Sequence, residues 1–352
     1  MKINSSIRIL TAILCWLFIS CSNTRNVSFN VTKPAEITLP ADANTILLAD
    51  RTKHAQKGWS TIEGILTGEM PGEDKAAAQE ALISLKNRLN YSPRFDVKIL
   101  PDQLVGNSLD GSLPHALDWN VVNNLCINNQ ADILVCIEMF DSDFIVTKGN
   151  RIKKKFVGEG ADKKEVPYTE YYAQGVANVK MGIRTYYNKD RRIIDQQVVN
   201  KTNSWEGVGT SAADALRTLI SKTNANKYLA GKVGDDYAYK ISPMPIRISR
   251  PFFAKSKHNA ALEAGTRYAD VAQWQEAIDT WKSGLPNASS KDAGKLAYDI
   301  AVGYEVLGEY GTALTWAQDA YTKYGNKQAR DYTRTLRNRI NQETVLKQQM
   351  NN

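Results

Sequence analysis

The chain has 352 residues, 43% of them hydrophobic, with 45 basic and 37 acidic side chains and a net charge of +8. That length and composition exclude a disordered chain and leave room for two packed domains. The four cysteines include no CxxC and no Cys/His cluster, so a structural zinc site is excluded as well.

The N-terminal residues MKINSSIR carry Lys2 and Arg8 without an acidic partner, and ILTAILCWLFI follows as an apolar run that ends in Ser20 and Cys21. An eleven-residue apolar run is too short to span a bilayer, which takes ~20 residues. The pattern is that of a secretory signal over 1–20. Phe18-Ile19-Ser20-Cys21 resembles the lipobox of bacterial lipoproteins, with Phe18 in place of the usual Leu. The resemblance implies cleavage before Cys21 and attachment of diacylglycerol and palmitate to that cysteine. Ser22 stands where aspartate would imply inner-membrane retention, and SNTRN carries no acidic cluster. The implied address is the outer membrane, lipid-anchored and facing the periplasm, with the surface-exposed face as the alternative. Nucleic acid is excluded as a partner by that compartment. Loss of Lys2 and Arg8 lowers the charge from +8 to +6, a mild preference for anionic neighbours.

Residues 21–43 are poor in periodicity and rich in Ser, Asn, Thr and Pro, which predicts a lipidated flexible tether. TILLAD (45–50) predicts a buried strand. EDKAAAQEALISLKNRL (73–89) predicts a helix with Ala77, Ala81, Leu82, Leu85 and Leu89 on one face. FDVKIL (95–100) is a second strand, and Asp118 caps a helix that buries Trp119, Val122, Leu125 and Cys126. DILVCIEMF (132–140) is a third and strongly apolar strand. Packed thiols are expected at Cys126 and Cys136, although a disulfide is geometrically conceivable. Antiparallel hairpins follow over 144–160 and 171–202, with turns expected at Lys148-Gly149-Asn150 and Asn188-Lys189-Asp190. Ser211 then opens one helix, AADALRTLISKTNANKYL.

This succession, with the Gln130-Ala131-Asp132-Ile133-Leu134-Val135 strand and the Tyr187–Arg191 turn, resembles the α/β domain of curli-secretion lipoproteins and of the lipoprotein activators of penicillin-binding proteins. It implies a shared shape over roughly 44–235 and carries over no functional residue. A pore is not expected, because RIKKKFVGEGADKKE is too charged for a lipid-facing hairpin.

From His258 the pattern becomes helical and repeats with an offset of 36: Gly265 over Ala301, Tyr268 over Tyr304, Trp274 over Tyr310, Ala277 over Ala313, Gly284 over Ala320. These positions match the tetratricopeptide pattern, in which small residues sit at helix crossings and aromatics between repeats. Two repeats need a cap, and 327–348 fits, with Tyr332, Leu336, Ile340 and Val345 inward and its arginines outward. The expected fold class is α+β: an N-terminal α/β sandwich-like domain with antiparallel hairpins (44–250), two tetratricopeptide-like repeats (255–325) and a capping helix and tail (326–352).

Chemistry is sparse. No GxSxG occurs, His54, His115 and His258 stand apart, and neither Gly158-Glu159-Gly160 nor Gly231-Lys232 has the context of a phosphate loop. Asp141-Ser142-Asp143, at the end of the third strand, is the best carboxylate pair, with a solvated strand exit as its alternative. No cofactor, metal or catalytic residue is assigned. Tyr268, Trp274, Tyr304 and Tyr310 are the expected partner surface for a protein or peptide. Lys148, Arg151, Lys153, Lys154 and Lys155, and Arg330, Arg334, Arg337 and Arg339, are the expected contacts to an anionic surface, or simply solvated charge. The leading expectation is a non-enzymatic envelope scaffold. Its alternatives are a secretion-complex component built by self-association of the α/β domain, and a glycan- or lipid-acting enzyme.

Overall fold

A computed structural model of the chain describes residues 23–52, 73–106 and 112–350. The leader, Cys21, Ser22 and His54 lie outside the described residues. The chain divides into two compact units, one of residues 34–244 with 347–352, the other of residues 245–346 with the N-terminal stretch ending at Lys33. The first described element already departs from expectation. Residues 24–33 are strand β1 (Thr24–Lys33), not tether, and they pair with a strand 220 residues later in the sequence. The segment TRNVSFNVTK alternates weakly and offers no local turn, so its partner is invisible to neighbour-by-neighbour reading.

The larger unit holds a five-stranded mixed sheet. Strands β2 (Thr45–Asp50), β3 (Asp96–Ile99) and β4 (Ile133–Val157) run parallel, and β4 continues antiparallel to β5 (Lys164–Tyr187) and β5 to β6 (Arg192–Gly209), in the order β3-β2-β4-β5-β6. Helix α1 (Glu73–Leu89) lies between β2 and β3, and α2 (Trp119–Asn129) between β3 and β4. The five residues expected on one face of α1 are all buried in the main core with Ile46, Leu48, Ile133, Val135 and Ile137. Helix α2, capped by Asp118 on Asn120 N–H, buries Val122 and Cys126 against Leu47, Leu134, Cys136 and Tyr186 on the other sheet face. Both cysteines are free and buried, and burial pushes the Cys126 thiol up to about 11.

A bulge between Ile137 and Met139 shifts the register of β4 against β5. Before it, odd-numbered residues face α1. After it, Phe140, Ser142 and Phe144 do, and Asp141 and Asp143 point into solvent. The single helix expected after Ser211 is two, α3 (Ala212–Thr218) and α4 (Lys222–Ile241). Leu219 is extended at φ −70°, ψ 142° and Ser221 caps α4 through Asn224 N–H.

Lys148-Gly149-Asn150 is not a turn but the middle of β4, paired with Tyr171–Ala173. Gly149 serves close packing instead: a Cβ there would run into the Tyr172 ring on the facing strand. The chain reverses at 158–163, whereas the turn at Asn188-Lys189-Asp190 lies where the residues predict it. At ~3.3 Å per residue, the 25 residues of β4 extend ~80 Å. The two-stranded part beyond Arg151 and Glu170 outruns β6.

The second unit is helical apart from β1 and β7 (Met244–Phe253). Helices α5 (Ala260–Asp270) and α6 (Trp274–Ser283), then α7 (Ser290–Val306) and α8 (Tyr310–Thr322), form the two repeats, followed by α9 (Lys327–Gln349). Trp281 is fully buried between them and its indole donates to Leu262 O at 3.2 Å. Gly265 faces that indole, and a Cβ there would overlap its Nε1 and Cδ1. In α9, Tyr332 and Leu336 are buried as expected, but Val345 is 38% exposed and Arg339 is buried at 8%, donating to Gln342 Oε1. Arg339 is therefore not an outward contact. In full-length protein, Gly265→Ala is expected to lower stability by about 1–3 kcal/mol, read as a lower denaturant midpoint with an unchanged slope.

Candidate functional site

Three arrangements are candidates for function. The first sits at the carboxyl ends of the parallel strands, where open α/β sheets bind ligands. The bulge in β4 carries Glu138, an acid within an otherwise apolar run, and its side chain is fully buried. Arg51, directly after β2, donates to Oε2 at 2.6 Å, and Arg184 of β5 donates to Oε1 at 3.0 Å. The Tyr186 hydroxyl donates to the same oxygen and accepts from Leu117 N–H at 3.0 Å. Burial, reinforced by Glu138, pushes the Tyr186 hydroxyl well above its ordinary value. The arginines also hold the carbonyls of His115 (2.8 Å) and Pro114 (2.9 Å).

These groups bond one another and clamp residues 114–117 to the sheet, while Arg51 Nε is buried without a partner among the described residues. Sequence reasoning chose Asp141-Ser142-Asp143 for this position and missed Glu138. The signal available was a glutamate inside the otherwise apolar run ILVCIEMF (133–140). Asp141 and Asp143 are exposed, while Ser142 is buried between Asp74 and Asn226 at 2.5 and 2.8 Å. Among the described residues, no group of three His, Cys, Asp or Glu could hold a metal, and no helix is long and apolar enough to cross a membrane.

The second candidate is the face built by α5, α6, α7 and α9. Strand β7 fills it. Phe252 lies 6.1 Å from both Trp274 and Trp281, and Phe253 meets Tyr298 edge-on at 5.6 Å. Arg250 forms a fork with Glu305 at 2.7 and 2.9 Å, and Tyr332 donates to Glu305 at 2.7 Å. Phe253 N–H donates to Asp299 Oδ1 at 2.8 Å, and Thr266 donates to Phe253 O at 3.3 Å. β1 backs β7: Asn23 O accepts from Ala254 N–H at 2.8 Å, placing the start of one strand at the end of the other.

The four expected partner residues are consequently dispersed. Trp274 and Tyr304 are buried at 9% and 8%, the Tyr304 hydroxyl accepting from Lys282 Nζ at 2.6 Å. Tyr310 is half-buried, and Tyr268 is 41% exposed. Helix periodicity marks these aromatics as packed against something and cannot say whether that is a partner or the chain's own strand.

The third candidate is the β4–β5 ribbon. Arg151 is shared between Glu170 and Glu206, Lys153 pairs with Glu170 at 2.8 Å, and Lys154 with Glu165 at 3.1 Å. Lys153 and Arg151 hold the Glu170 carboxyl below its ordinary value. Lys155 lies over the Tyr168 ring at 5.6 Å. Three of the five expected anion contacts on this hairpin, Arg151, Lys153 and Lys154, are thus neutralised across the ladder. On α9, Arg330 and Arg334 approach Asp331 at 3.6 Å. Between the paired charges, the ribbon exposes Ile145 (65%), Ile152 (78%), Phe156 (65%), Val157 (50%) and Val166 (40%).

Residues 43–253, more than half of the chain, match the model of a domain of unknown function (DUF8603). The chain belongs to that family. Its match ends at the last residue of β7, so the family's sequence span includes the strand that packs on the repeat helices. Residues 263–338 match a second domain of unknown function (DUF6340). No curated protein matches the chain. Among solved structures, a PelC dodecamer from Paraburkholderia phytofirmans aligns at 11% identity over 62% of this chain and 99% of that one, with a TM-score of 0.24. A putative neuraminyllactose-binding hemagglutinin homolog from Helicobacter pylori aligns at 11% identity over 58% and 87%, TM-score 0.25. The hypothetical protein CT253 from Chlamydia trachomatis aligns at 10% identity over 46% and 73%, TM-score 0.21. Scores this low transfer no property to this protein.

The β7 contact is titratable. Asp299 is fully buried, its Oδ2 has no partner, and burial holds its carboxyl well above 3.8. The folded protein therefore retains a proton that the unfolded chain gives up, and stability falls as pH rises from the unfolded carboxyl range through the folded value. Asp299→Asn keeps the acceptor for Phe253 N–H and cannot ionise. Its stability relative to wild type is expected to climb with pH across that window in denaturant titrations; a pH-independent difference would contradict the assignment.

Proposed function

We propose that this is a non-enzymatic, lipid-anchored envelope protein, attached through Cys21 to the outer membrane and facing the periplasm, that works as a protein–protein interaction scaffold. The observation that carries the reading is the bare β4–β5 ribbon. Beyond Arg151 and Glu170 no third strand pairs with it among the described residues, and all of its strand residues there except Tyr168 are exposed, so the fold gains no core from it. It nevertheless presents exposed Ile152 and Phe156 on one face beside the Lys154–Glu165 pair, and Val166 on the other, the apolar-within-polar texture of contact surfaces. The reading puts the docking surface on the ribbon, and it is supported by the filling of the repeat face, which would otherwise take a peptide, by β7.

A second reading is assembly by self-association. Among the described residues, β4 has no strand partner on its β2 side after Ile137, and β6 is paired on one side only. Unpaired edges are templates for strand addition. Light scattering on the mature protein separates the two: a monomer at working concentration rejects self-assembly.

Photo-crosslinkers placed at Ile152 and Phe156 in cells are expected to capture a partner, and one at Leu307 is expected not to. Ile152→Glu with Phe156→Glu should abolish capture at a flanking ribbon site while changing stability by no more than about 0.5 kcal/mol. Cys21→Ala is expected to move the protein from salt-washed membranes to the soluble fraction. A scaffold with no ribbon adduct in cells that hold the intact protein would reject the reading.

A further inference from the structure

We propose that the helical unit is seated directly on the phospholipid surface through the turn between α5 and α6, with Val271 and Tyr268 entering the interface and Arg25 and Arg267 meeting anionic headgroups. The inference rests on the lipidation of Cys21 proposed above. Its new content is where the bilayer lies relative to the folded residues.

The argument begins with chain length. Cys21 precedes Asn23 by two residues, and consecutive Cα atoms are 3.80 Å apart, so the cysteine Cα lies within about 8 Å of Asn23 in any conformation. Asn23 is fixed, because its carbonyl accepts from Ala254 N–H at 2.8 Å. Two residues later, Arg25 lies 3.6 Å from Asp270, the last residue of α5. Acyl chains on Cys21 must reside in hydrocarbon, so the bilayer surface passes close to this point. A flexible tether over 21–43 would have left the unit free to roam; a strand that begins at Thr24 does not.

The surface next to that point suits an interface. Val271 is 66% exposed and Tyr268 41%, and Arg25 and Arg267, each in a loose exposed pair with Asp270 at 3.6 Å and Glu263 at 3.8 Å, have side chains 59% and 69% exposed. Tyr268, Val271 and Arg267 line one shallow depression with Ala264 and Gln273. Apolar and aromatic side chains flanked by arginine match the layered chemistry of a headgroup boundary. The second repeat supplies an internal comparison. Its equivalent of Tyr268 is Tyr304, which is buried and bonded to Lys282. Its equivalent of Val271 is Leu307, which is 42% exposed but lies one repeat away from the anchor.

The test uses full-length lipidated protein on vesicles of phosphatidylethanolamine and phosphatidylglycerol. Val271→Cys and, separately, Leu307→Cys carry an environment-sensitive fluorophore. Cys126 and Cys136 are buried and stay unlabelled. The label at 271 is expected to shift to the blue and to be several-fold less accessible to aqueous iodide on vesicles than in detergent, while the label at 307 stays accessible. Equal quenching at both sites, with flotation and an N-terminal peptide mass showing acylated protein on the vesicles, overturns the seating and leaves the anchor intact. A wild-type chain that neither floats nor carries the acyl mass overturns both.

Discussion

One inserted residue sets the direction of most side chains in the sheet. The bulge in β4 places two consecutive residues, Glu138 and Met139, where strict alternation would place one, and every residue beyond it changes face. Without it, Asp141 and Asp143 would point at the helices and Phe140 and Phe144 at solvent. With it, Phe140 joins the core under α1 and α4, and Ser142 reaches Asp74 and Asn226. The bulge also aims Glu138 inward, where a lone carboxylate is untenable, and Arg51 and Arg184 make the burial tolerable. A buried ion cluster of this kind contributes little net stability, but removing one member would strand the others. Its role is to hold the register at the point where the sheet changes from parallel to antiparallel pairing.

In the helical unit the corresponding constraint is the filling of a face. Two repeats leave an array with too few neighbours to bury its own aromatics. The chain closes that gap with a strand: Phe252 enters between Trp274 and Trp281, and Arg250 with Tyr332 covers the Glu305 carboxylate. The same insertion removes the surface by which such repeats receive peptides. In the proposed reading the docking surface lies instead on the ribbon of the other unit, where Ile152 and Phe156 are exposed.

Much of the local structure could be read from residue order. The spacing of Ala77, Ala81, Leu82, Leu85 and Leu89, the cap at Asp118, the turn at Asn188 and the 36-residue offset between Tyr268 and Tyr304 each depend on neighbours within one or two turns. The misreadings share a cause. Lys148-Gly149-Asn150 has turn composition, yet Gly149 is there to admit Tyr172 from a facing strand. Thr24–Lys33 looks like linker because its partner is β7, more than two hundred positions away. Arg151, Lys153 and Lys154 look like free charge because Glu170, Glu206 and Glu165 face them only once the ladder forms.

Periodicity, caps and turn chemistry therefore established the element types, the α+β class and the helical repeats, since each is an interaction between residues close in the chain. The pairing of β1 with β7, the burial of Trp274 and Tyr304 beneath Phe252 and Lys282, and the closure of Glu138 by two arginines were decided only in the folded chain. Those contacts join residues far apart in sequence, and burial is a property of whatever packs against a side chain, which the side chain itself does not record.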